Sequence, residues 1–146
     1  MLPMVKFIPA ELTLELRSNI LRNGLPPVEC VFPTDHVEGA FHLGYFADQE
    51  LATIASFFPQ RYRDQEGEGF QLRGMATDLK FLGKGFGKQV VEFSVEYVRT
   101  TNAKYIWCNA RTSAVKFYEK LEFRICSNEF EIAGVGPHYE MILNLY

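Results

Sequence analysis

The feature that most constrains this chain is a cluster of three glycines between a strand-like segment and a helix-like one. The cluster lies in residues 82–88, LGKGFGK, and a helical pattern of apolar residues begins within it and continues over 85–99. Glycine allows tight turns, so main-chain N–H groups can converge where the helix dipole favours an anion. The cluster therefore predicts a strand-to-helix turn that binds a phosphate-bearing ligand, with a flexible turn that binds nothing as the alternative.

Two common nucleotide-binding loops do not fit this segment. A Walker A loop needs Ser or Thr after its Gly-Lys pair, but Gln89 follows Gly87 and Lys88. A dinucleotide-binding GxGxxG motif counted from Gly83 needs a glycine where Lys88 stands. Both classes of nucleotide loop are therefore excluded.

Hydrophobic spacing along the rest of the chain predicts a mixed α/β protein in which strands predominate. The 146 residues contain no repeat or linker, so we expect one domain over 1–146. Helical spacing predicts helices between Pro9 and Asn23, over 85–99 and over 111–120. Strand-like runs occupy 5–8, 40–46, 51–58, 70–77, 105–108, 123–132 and 138–145.

Charge is distributed unevenly along the chain. The net charge of −3 argues against a nucleic-acid or anionic membrane partner. Residues 29–68 carry eight acidic and two basic residues, a net charge of −6, whereas 69–120 carry nine basic and four acidic residues, a net charge of +5. We expect the two segments to meet ligands of opposite charge.

Cysteine usage and hydropathy indicate a cytoplasmic protein. Cys30, Cys108 and Cys126 form neither an even disulfide set nor a CxxC pair, so we expect a reducing compartment and no metal site. No signal-like start and no uncharged stretch of about 18 residues occurs, so no membrane partner is expected.

Three motifs, in this order, resemble the GNAT superfamily of N-acetyltransferases. They are QLRGMATD at 71–78, GKGFG at 83–87 and AVKFYEKLEF at 114–123. The first two resemble that family's acetyl-CoA signature, in which a splayed strand pairs with the pantetheine arm and a glycine loop cradles the pyrophosphate. The third resembles its N-x-x-A-x-x-F-Y-x-K-x-G-F helix. The resemblance implies an α/β fold of α+β type, with a mixed, mostly antiparallel sheet flanked by helices in a single domain.

The resemblance also implies a set of site residues. Tyr118 would be the general acid, and main-chain groups of Met75 and Ala76 would contact the oxyanion. A phenol of ordinary pKa is protonated at neutral pH, as that role requires. Spacing alone instead favours a packed core tyrosine at 118. The implied coenzyme contacts are Met75, Ala76, Thr77, Leu82, Gly83, Lys84, Gly85, Phe86, Gly87, Lys88, Arg111 and Tyr118.

Three positions depart from the family pattern. Leu82 replaces the usual Arg or Gln, Arg111 replaces an asparagine, and Glu122 replaces a glycine. Main-chain N–H groups would make the side chain at 82 secondary. The guanidinium of Arg111 could reach a phosphate instead of the pantetheine arm.

The acceptor is expected across the gap from the coenzyme, near 30–36, the first hairpin and 135–138. Asp35, His42 and His138 are the substrate-side candidates there, and the general base is left open between a side chain and water. Cys108 is interpreted as a packing residue, with no covalent acetyl-cysteine. Because the acidic segment contains the loop and hairpin, we hypothesise a cationic amine acceptor.

The sequence thus predicts an acetyl-CoA-dependent N-acetyltransferase in which a primary amine attacks the thioester directly. Two alternatives stay open: use of another acyl-CoA or a hydroxyl acceptor, and a non-catalytic sensor that binds acyl-CoA. A homodimer is one possible assembly, from the general frequency of symmetric pairs.

Overall fold

A computed structural model describes residues 4–146. The strands are β1 (Val5–Ile8), β2 (Phe41–Ala47), β3 (Glu50–Pro59), β4 (Gly69–Thr77), β5 (Tyr105–Arg111), β6 (Arg124–Ile125), β7 (Phe130–Ile132) and β8 (Gly136–Asn144). They form one sheet in the order β1-β2-β3-β4-β5-β8-β6, with β7 also paired to β8. Among the strand pairs of the described residues, only β4 and β5 are parallel. The predicted mixed, mostly antiparallel sheet is confirmed.

Helices cover both faces of this sheet. The first helical segment, residues 10–21, joins a 3₁₀ turn (Ala10–Thr13), one α turn, α1 (Leu14–Leu16), and a π turn (Arg17–Leu21). It ends before Asn23, which has a positive φ of 51°, as the Asn-Gly stop signal predicts. The other helices are α2 (Phe86–Val98) and α3 (Val115–Lys120), with 3₁₀ turns at Pro27–Cys30, Leu79–Phe81 and Thr112–Ala114. No helix within 4–146 is long and apolar enough to cross a bilayer.

The long helix α2 is held by its apolar stripe. Val90, Val91 and Val98 are at most 1% exposed and belong to the main core cluster. Burying each such side chain contributes about 1.5–3 kcal/mol. This packing fixes the start of α2, and hence the glycine cluster, against the sheet.

Two predicted elements were wrong in their extent. The helix predicted over 111–120 begins at Val115, because Arg111 is still paired with His138 in the β5–β8 ladder. The strand predicted over 123–132 is broken into β6 and β7. The Ser127 hydroxyl accepts a 2.8 Å hydrogen bond from the Glu140 N–H, so a side chain takes the place of a ladder partner at the break.

The sheet is split beside its one parallel pair. β4 and β5 pair only where Gly69–Leu72 lies against Tyr105–Cys108. Beyond this point β4 continues to Thr77 along β3, and β5 continues to Arg111 along β8. A V-shaped gap therefore opens, and the edge of β4 that faces it has no ladder partner.

A bulge in β4 lies at the mouth of this gap. Ile54 pairs with Ala76 and Ser56 pairs with Arg73, so β4 holds one residue more than β3 between these pairs. Gly74 accommodates the bulge with a φ of +64°. As a result Met75 packs into the core cluster that contains α2, whereas Ala76 packs into the cluster of the first helical segment.

Candidate active site

A cleft of about 430 Å³ lies where the gap between β4 and β5 meets the start of α2. Its lining comes from β4, the 3₁₀ turn Leu79–Phe81, the glycine cluster, the start of α3 with the residue before it, and one residue of the first helical segment. The lining residues are Ile20, Met75, Ala76, Thr77, Leu79, Phe81, Leu82, Gly83, Lys84, Gly85, Phe86, Gly87, Lys88, Ala114, Phe117 and Tyr118. The structure therefore brings together every implied coenzyme contact except Arg111.

The glycine cluster presents its main chain to this cleft. Gly83 and Gly85 have φ values of +75° and +79°, and a Cβ at either would have no atom within 4 Å. Glycine is needed there for the backbone angle and not for lack of space. Gly85 is the N-cap of α2 and supplies no side-chain acceptor. The first N–H groups of α2 therefore have no partner within the helix and face the cleft region.

Gly87 has a different role in the same cluster. A Cβ there would lie 3.1 Å from Met75 Cε and 3.3 Å from Phe117 Cζ. The first turn of α2 is thus packed closely on the side chains of β4 and α3. Phe86 completes this packing by stacking on Tyr45, with ring centroids 4.0 Å apart.

Three lysines surround the cluster, and they differ in their partners. Lys80 pairs with Glu50, and this hydrogen bond raises the pKa of Lys80. Lys84 and Lys88 are exposed and make no ion pair with any residue in 4–146. The cleft entrance therefore combines two uncompensated cations with the positive end of a helix.

Tyr118 of α3 lines the cleft and contacts Met75 of β4. Its side chain is 6% exposed, and its hydroxyl donates to Met75 Sδ at 3.7 Å. Burial, and secondly the neighbouring Cys108 thiol, raise the pKa of Tyr118 well above its usual range. The phenol is therefore protonated at any physiological pH. Its burial suits a packing role, and its place in the cleft lining suits proton donation.

Cys108 is buried next to this tyrosine. Burial raises the pKa of its thiol far above the usual range. A thiol that stays protonated is a poor nucleophile. This agrees with the packing role expected from the sequence.

Arg111 and His138 lie outside the cleft lining. They pair with each other across β5 and β8, where Arg111 is exposed and His138 is 4% exposed. His138 Nδ1 lies 2.8 Å from the carbonyl oxygen of Gly136. The structure thus places Arg111 away from the implied coenzyme contacts and gives His138 a local main-chain partner.

Asp35 and His42 belong to a buried network centred on Arg17. Arg17 makes a two-pronged ion pair with Asp35 at 2.8 and 2.9 Å and also donates to Ser56 Oγ. His42 Nδ1 lies 2.7 Å from the same Ser56 oxygen. Neither Asp35 nor His42 lines the cleft.

Their protonation states fit a structural role. Burial alone would raise the pKa of Asp35, but hydrogen bonds from Arg17 and the Phe32 N–H hold that pKa below its usual range. Burial lowers the pKa of His42. A carboxylate saturated by Arg17 and a buried neutral imidazole therefore stabilise the loop after the first helical segment.

The acidic segment is not gathered at the acceptor side. Glu50, in the first hairpin, pairs with Lys80 beside the glycine cluster. Glu68 pairs with Arg61, and its carbonyl accepts from the Lys104 N–H at the opposite end of the sheet. These two acidic residues of the segment therefore lie far apart and do not flank one acceptor site.

Sequence reasoning missed two arginines near the β4 bulge. Arg17 is 1% exposed, and its guanidinium carbon lies 3.7 Å from the centre of the Phe32 ring. The guanidinium carbon of Arg73 lies 4.4 Å from the centre of the same ring. The available signal was the position of Arg73 within the signature strand, two residues before Met75.

Comparison with known proteins identifies the family of this cleft and fold. A family model described as "Acetyltransferase (GNAT) domain" matches residues 34–145. The chain belongs to the GNAT acetyltransferase family. It is 36% identical over 142 residues to an uncharacterised N-acetyltransferase, YitI, of Bacillus subtilis (strain 168), a match that covers 97% of this chain and 95% of that protein.

Solved GNAT structures share the fold at low sequence identity. An acyl-CoA N-acyltransferase from Pseudomonas aeruginosa superposes with a TM-score of 0.71 and 17% identity, over 94% of this chain and 95% of that one. An aminoglycoside 6'-N-acetyltransferase complexed with coenzyme A gives a TM-score of 0.71 and 14% identity, over 100% of this chain and 98% of that one. These two comparisons establish the fold alone.

Proposed function

We propose that this GNAT protein uses acetyl-CoA to acetylate a primary amine, by direct attack of the amine on the thioester. One observation carries the proposal: the unpaired edge of β4, the free N–H groups of the glycine cluster and the Tyr118 hydroxyl meet in one cleft. Acetyl-CoA supplies an activated acyl group and anionic phosphate groups by which a protein can bind it. Each of these three features matches one part of such a molecule.

The glycine cluster and its lysines would hold the phosphates. Main-chain N–H groups at the start of α2 donate to anions whatever the side chains, so Leu82 is compatible with the role. Lys84 and Lys88 add charge that has no partner among the described residues. Arg111 is left out of this proposal, because it is exposed at the end of β5 and does not line the cleft.

The bulged part of β4 would hold the reacting end. Main-chain N–H groups of Met75 or Ala76, on the unpaired edge, would donate to the thioester oxygen as negative charge develops on it. The amine nitrogen bonds to the acyl carbon as the carbon–sulfur bond breaks, and Tyr118 Oη would give its proton to the departing sulfur. Its raised pKa supports this role by keeping the proton in place.

Proton removal from the amine is assigned to water. The lining of the cleft, within residues 4–146, contains neither histidine nor carboxylate. His42 and Asp35 are committed to the Arg17 network, and His138 to Gly136. Water that enters the open gap would therefore carry the proton away.

Coenzyme binding is the first test, measured as thermal stabilisation. Coenzyme A at about 100 times its dissociation constant should stabilise the protein by about 2.7 kcal/mol. Pantetheine, which lacks the phosphates, is the matched control and should stabilise it far less. No shift at millimolar coenzyme A would contradict the proposal and both alternatives, since all three need acyl-CoA binding.

Thiol release then separates the enzyme from its alternatives. Acetyl-CoA with an amine panel should release free coenzyme A faster than acetyl-CoA alone, and faster than longer acyl-CoA thioesters do. Faster release with hydroxyl acceptors would favour the other transferase, and binding without release would favour a sensor. A single-domain protein over 1–146, a homodimer and a cytoplasmic location stay predictions, which limited proteolysis, sedimentation and cell fractionation test.

A further inference from the structure

Arg73 is a half-buried cation that lies two positions before the cleft-lining residue Met75 but does not itself line the cleft. It lies in β4, directly before the bulge at Gly74. Its guanidinium makes no hydrogen bond or ion pair with any other residue that the structure describes. Guanidinium groups removed from water normally have a carboxylate or carbonyl partner. Arg73 has only an aromatic ring, that of Phe32.

The surroundings of Arg73 are positively charged. Burial, and then the charges of Arg17 and Arg22, lower the pKa of Arg73, with Asp35 acting in the opposite direction. The two prongs of Asp35 are already taken by Arg17. The charges of Arg17 and Arg22 thus act on Arg73, the one carboxylate nearby is already bound by Arg17, and an anion is the group that would complete the cluster.

The cluster is built rigidly. Arg17 is 1% exposed, and its Nε is buried without a hydrogen-bond partner. A Cβ on Gly74 would lie 3.0 Å from Phe32 Cε2 and 3.5 Å from Arg17 Nε. The bulge is therefore packed directly on the ring that both guanidinium groups contact, and the site around Arg73 is preorganised.

The position of Arg73 relates this cation to the chemistry. Arg73 pairs with Ser56, and Ser56 contacts Arg17, so Arg73 lies on the face covered by the first helical segment. Met75 lies two positions after Arg73, which is roughly 7 Å at 3.3 Å per residue. A small amine could thus place its nitrogen near the main chain of Met75 and an anionic group at Arg73.

We propose that the acceptor is an amine that carries a carboxylate, and that Arg73 binds this carboxylate. The inference rests on the proposed acetyl transfer and names the class of acceptor. A planar guanidinium forms two parallel hydrogen bonds with a carboxylate, which gives both charge and orientation. A cationic amine would instead meet Arg22 and Arg73 with like charge.

The test compares acceptors that differ only in their charge. Amino acids and the corresponding amino acid amides are offered with acetyl-CoA, diaminoalkanes serve as the cationic set, and rates are corrected for the fraction of free amine. We expect kcat/KM for the carboxylates to exceed that for the amides by at least about tenfold, a ratio within reach of a charge-assisted hydrogen bond. Arg73→Gln should abolish that ratio and Arg73→Lys should restore part of it. Arg124→Gln, at an exposed arginine of β6, should leave it unchanged.

Every outcome of this test either supports or overturns the proposed role of Arg73. Amides or diamines that react as well as carboxylates overturn the inference, and so does a preference that survives in Arg73→Gln. If coenzyme A stabilises the protein but no carboxylate-bearing amine accelerates thiol release, the inference fails while coenzyme binding stands. If coenzyme A does not stabilise the wild-type protein, the proposed function fails first.

Discussion

The glycine cluster and the arginine cluster lie near the same bulged strand, but they offer a ligand different groups. The glycine cluster presents main-chain N–H groups at the start of α2, held by positive φ angles at Gly83 and Gly85. The arginine cluster presents side chains from different parts of the chain: Arg17 and Arg73 contact the ring of Phe32, and the charge of the exposed Arg22 acts on Arg73. The first suits a ligand that every member of a family shares, and the second suits a ligand that one member selects.

This contrast predicts which kind of substitution disrupts each of the two sites. A main-chain site fails when the backbone angle changes, and exposed side chains matter little to it. A side-chain site fails when one charge is removed, and its buried members also carry the stability of the fold. Five variants test these behaviours and the proposed role of Tyr118.

The largest effect is expected from Arg17→Met. It leaves Asp35 charged and buried without its ion pair, a situation that costs about 3–5 kcal/mol. The free energy of unfolding in urea should fall by that amount. Arg22→Met, at an exposed arginine of the same region, should change it by less than about 0.5 kcal/mol. Equal losses in the two variants would mean that the cluster is not a stabilising unit.

Tyr118→Phe should lower turnover with little change in coenzyme affinity. Loss of a general acid typically reduces rates by at least about 100-fold. The ring contacts with Phe117 and Phe123, at 5.0 and 5.3 Å, need no hydroxyl, so stability should be kept. Turnover is measured by thiol release, and affinity by thermal shift with coenzyme A. An unchanged kcat would leave Tyr118 as a core residue.

Gly85→Ala should weaken coenzyme binding without affecting the choice of acceptor. An alanine at a φ of +79° costs about 1–2 kcal/mol, a five- to thirtyfold loss of affinity if the loop relaxes. Gly134→Ala is matched to it, with a φ of +77° and open space around the site, but lies in the turn between β7 and β8. Coenzyme affinity that falls equally in both variants would contradict a specific role for the cluster.

The smallest effect is expected from the lysines. Lys84→Gln and Lys88→Gln should each weaken coenzyme binding by less than about fivefold, since exposed charges contribute about 1 kcal/mol or less. The loss should disappear at high salt, where the Debye length is about 3 Å. Lys104→Gln, at the opposite end of the sheet from the cleft, is the control. A loss that is insensitive to salt would indicate a buried contact.

The glycine cluster and α2, which form one part of the cleft, could be predicted from local sequence. Glycine spacing and the apolar stripe that begins at Phe86 predicted both the loop and α2, because backbone angles and helical periodicity are properties of neighbouring residues. The end of β5 could not be predicted from local sequence. Arg111 and Thr112 follow a buried strand, and the pairing of Arg111 with His138 decided where the strand ended.

The residues predicted for the acceptor side show more clearly what sequence alone cannot predict. Asp35 and His42 have the chemistry of catalytic residues, and the acidic segment suggested a cationic acceptor. Only the fold brings Arg17 to Asp35 and separates Glu50 from Glu68 by the length of the sheet. Whether a charge is free or neutralised depends on its partner, and that partner is remote in sequence.

By itself the sequence determined the family, the class of fold and the glycine cluster, because each depends on short-range spacing along the chain. The tertiary structure alone decided that β4 and β5 separate after Leu72, that the bulge at Gly74 packs on Phe32, and that the Arg73 guanidinium has no ion-pair or hydrogen-bond partner within residues 4–146. These features arise from contacts between segments tens of residues apart, whose energies no local pattern encodes.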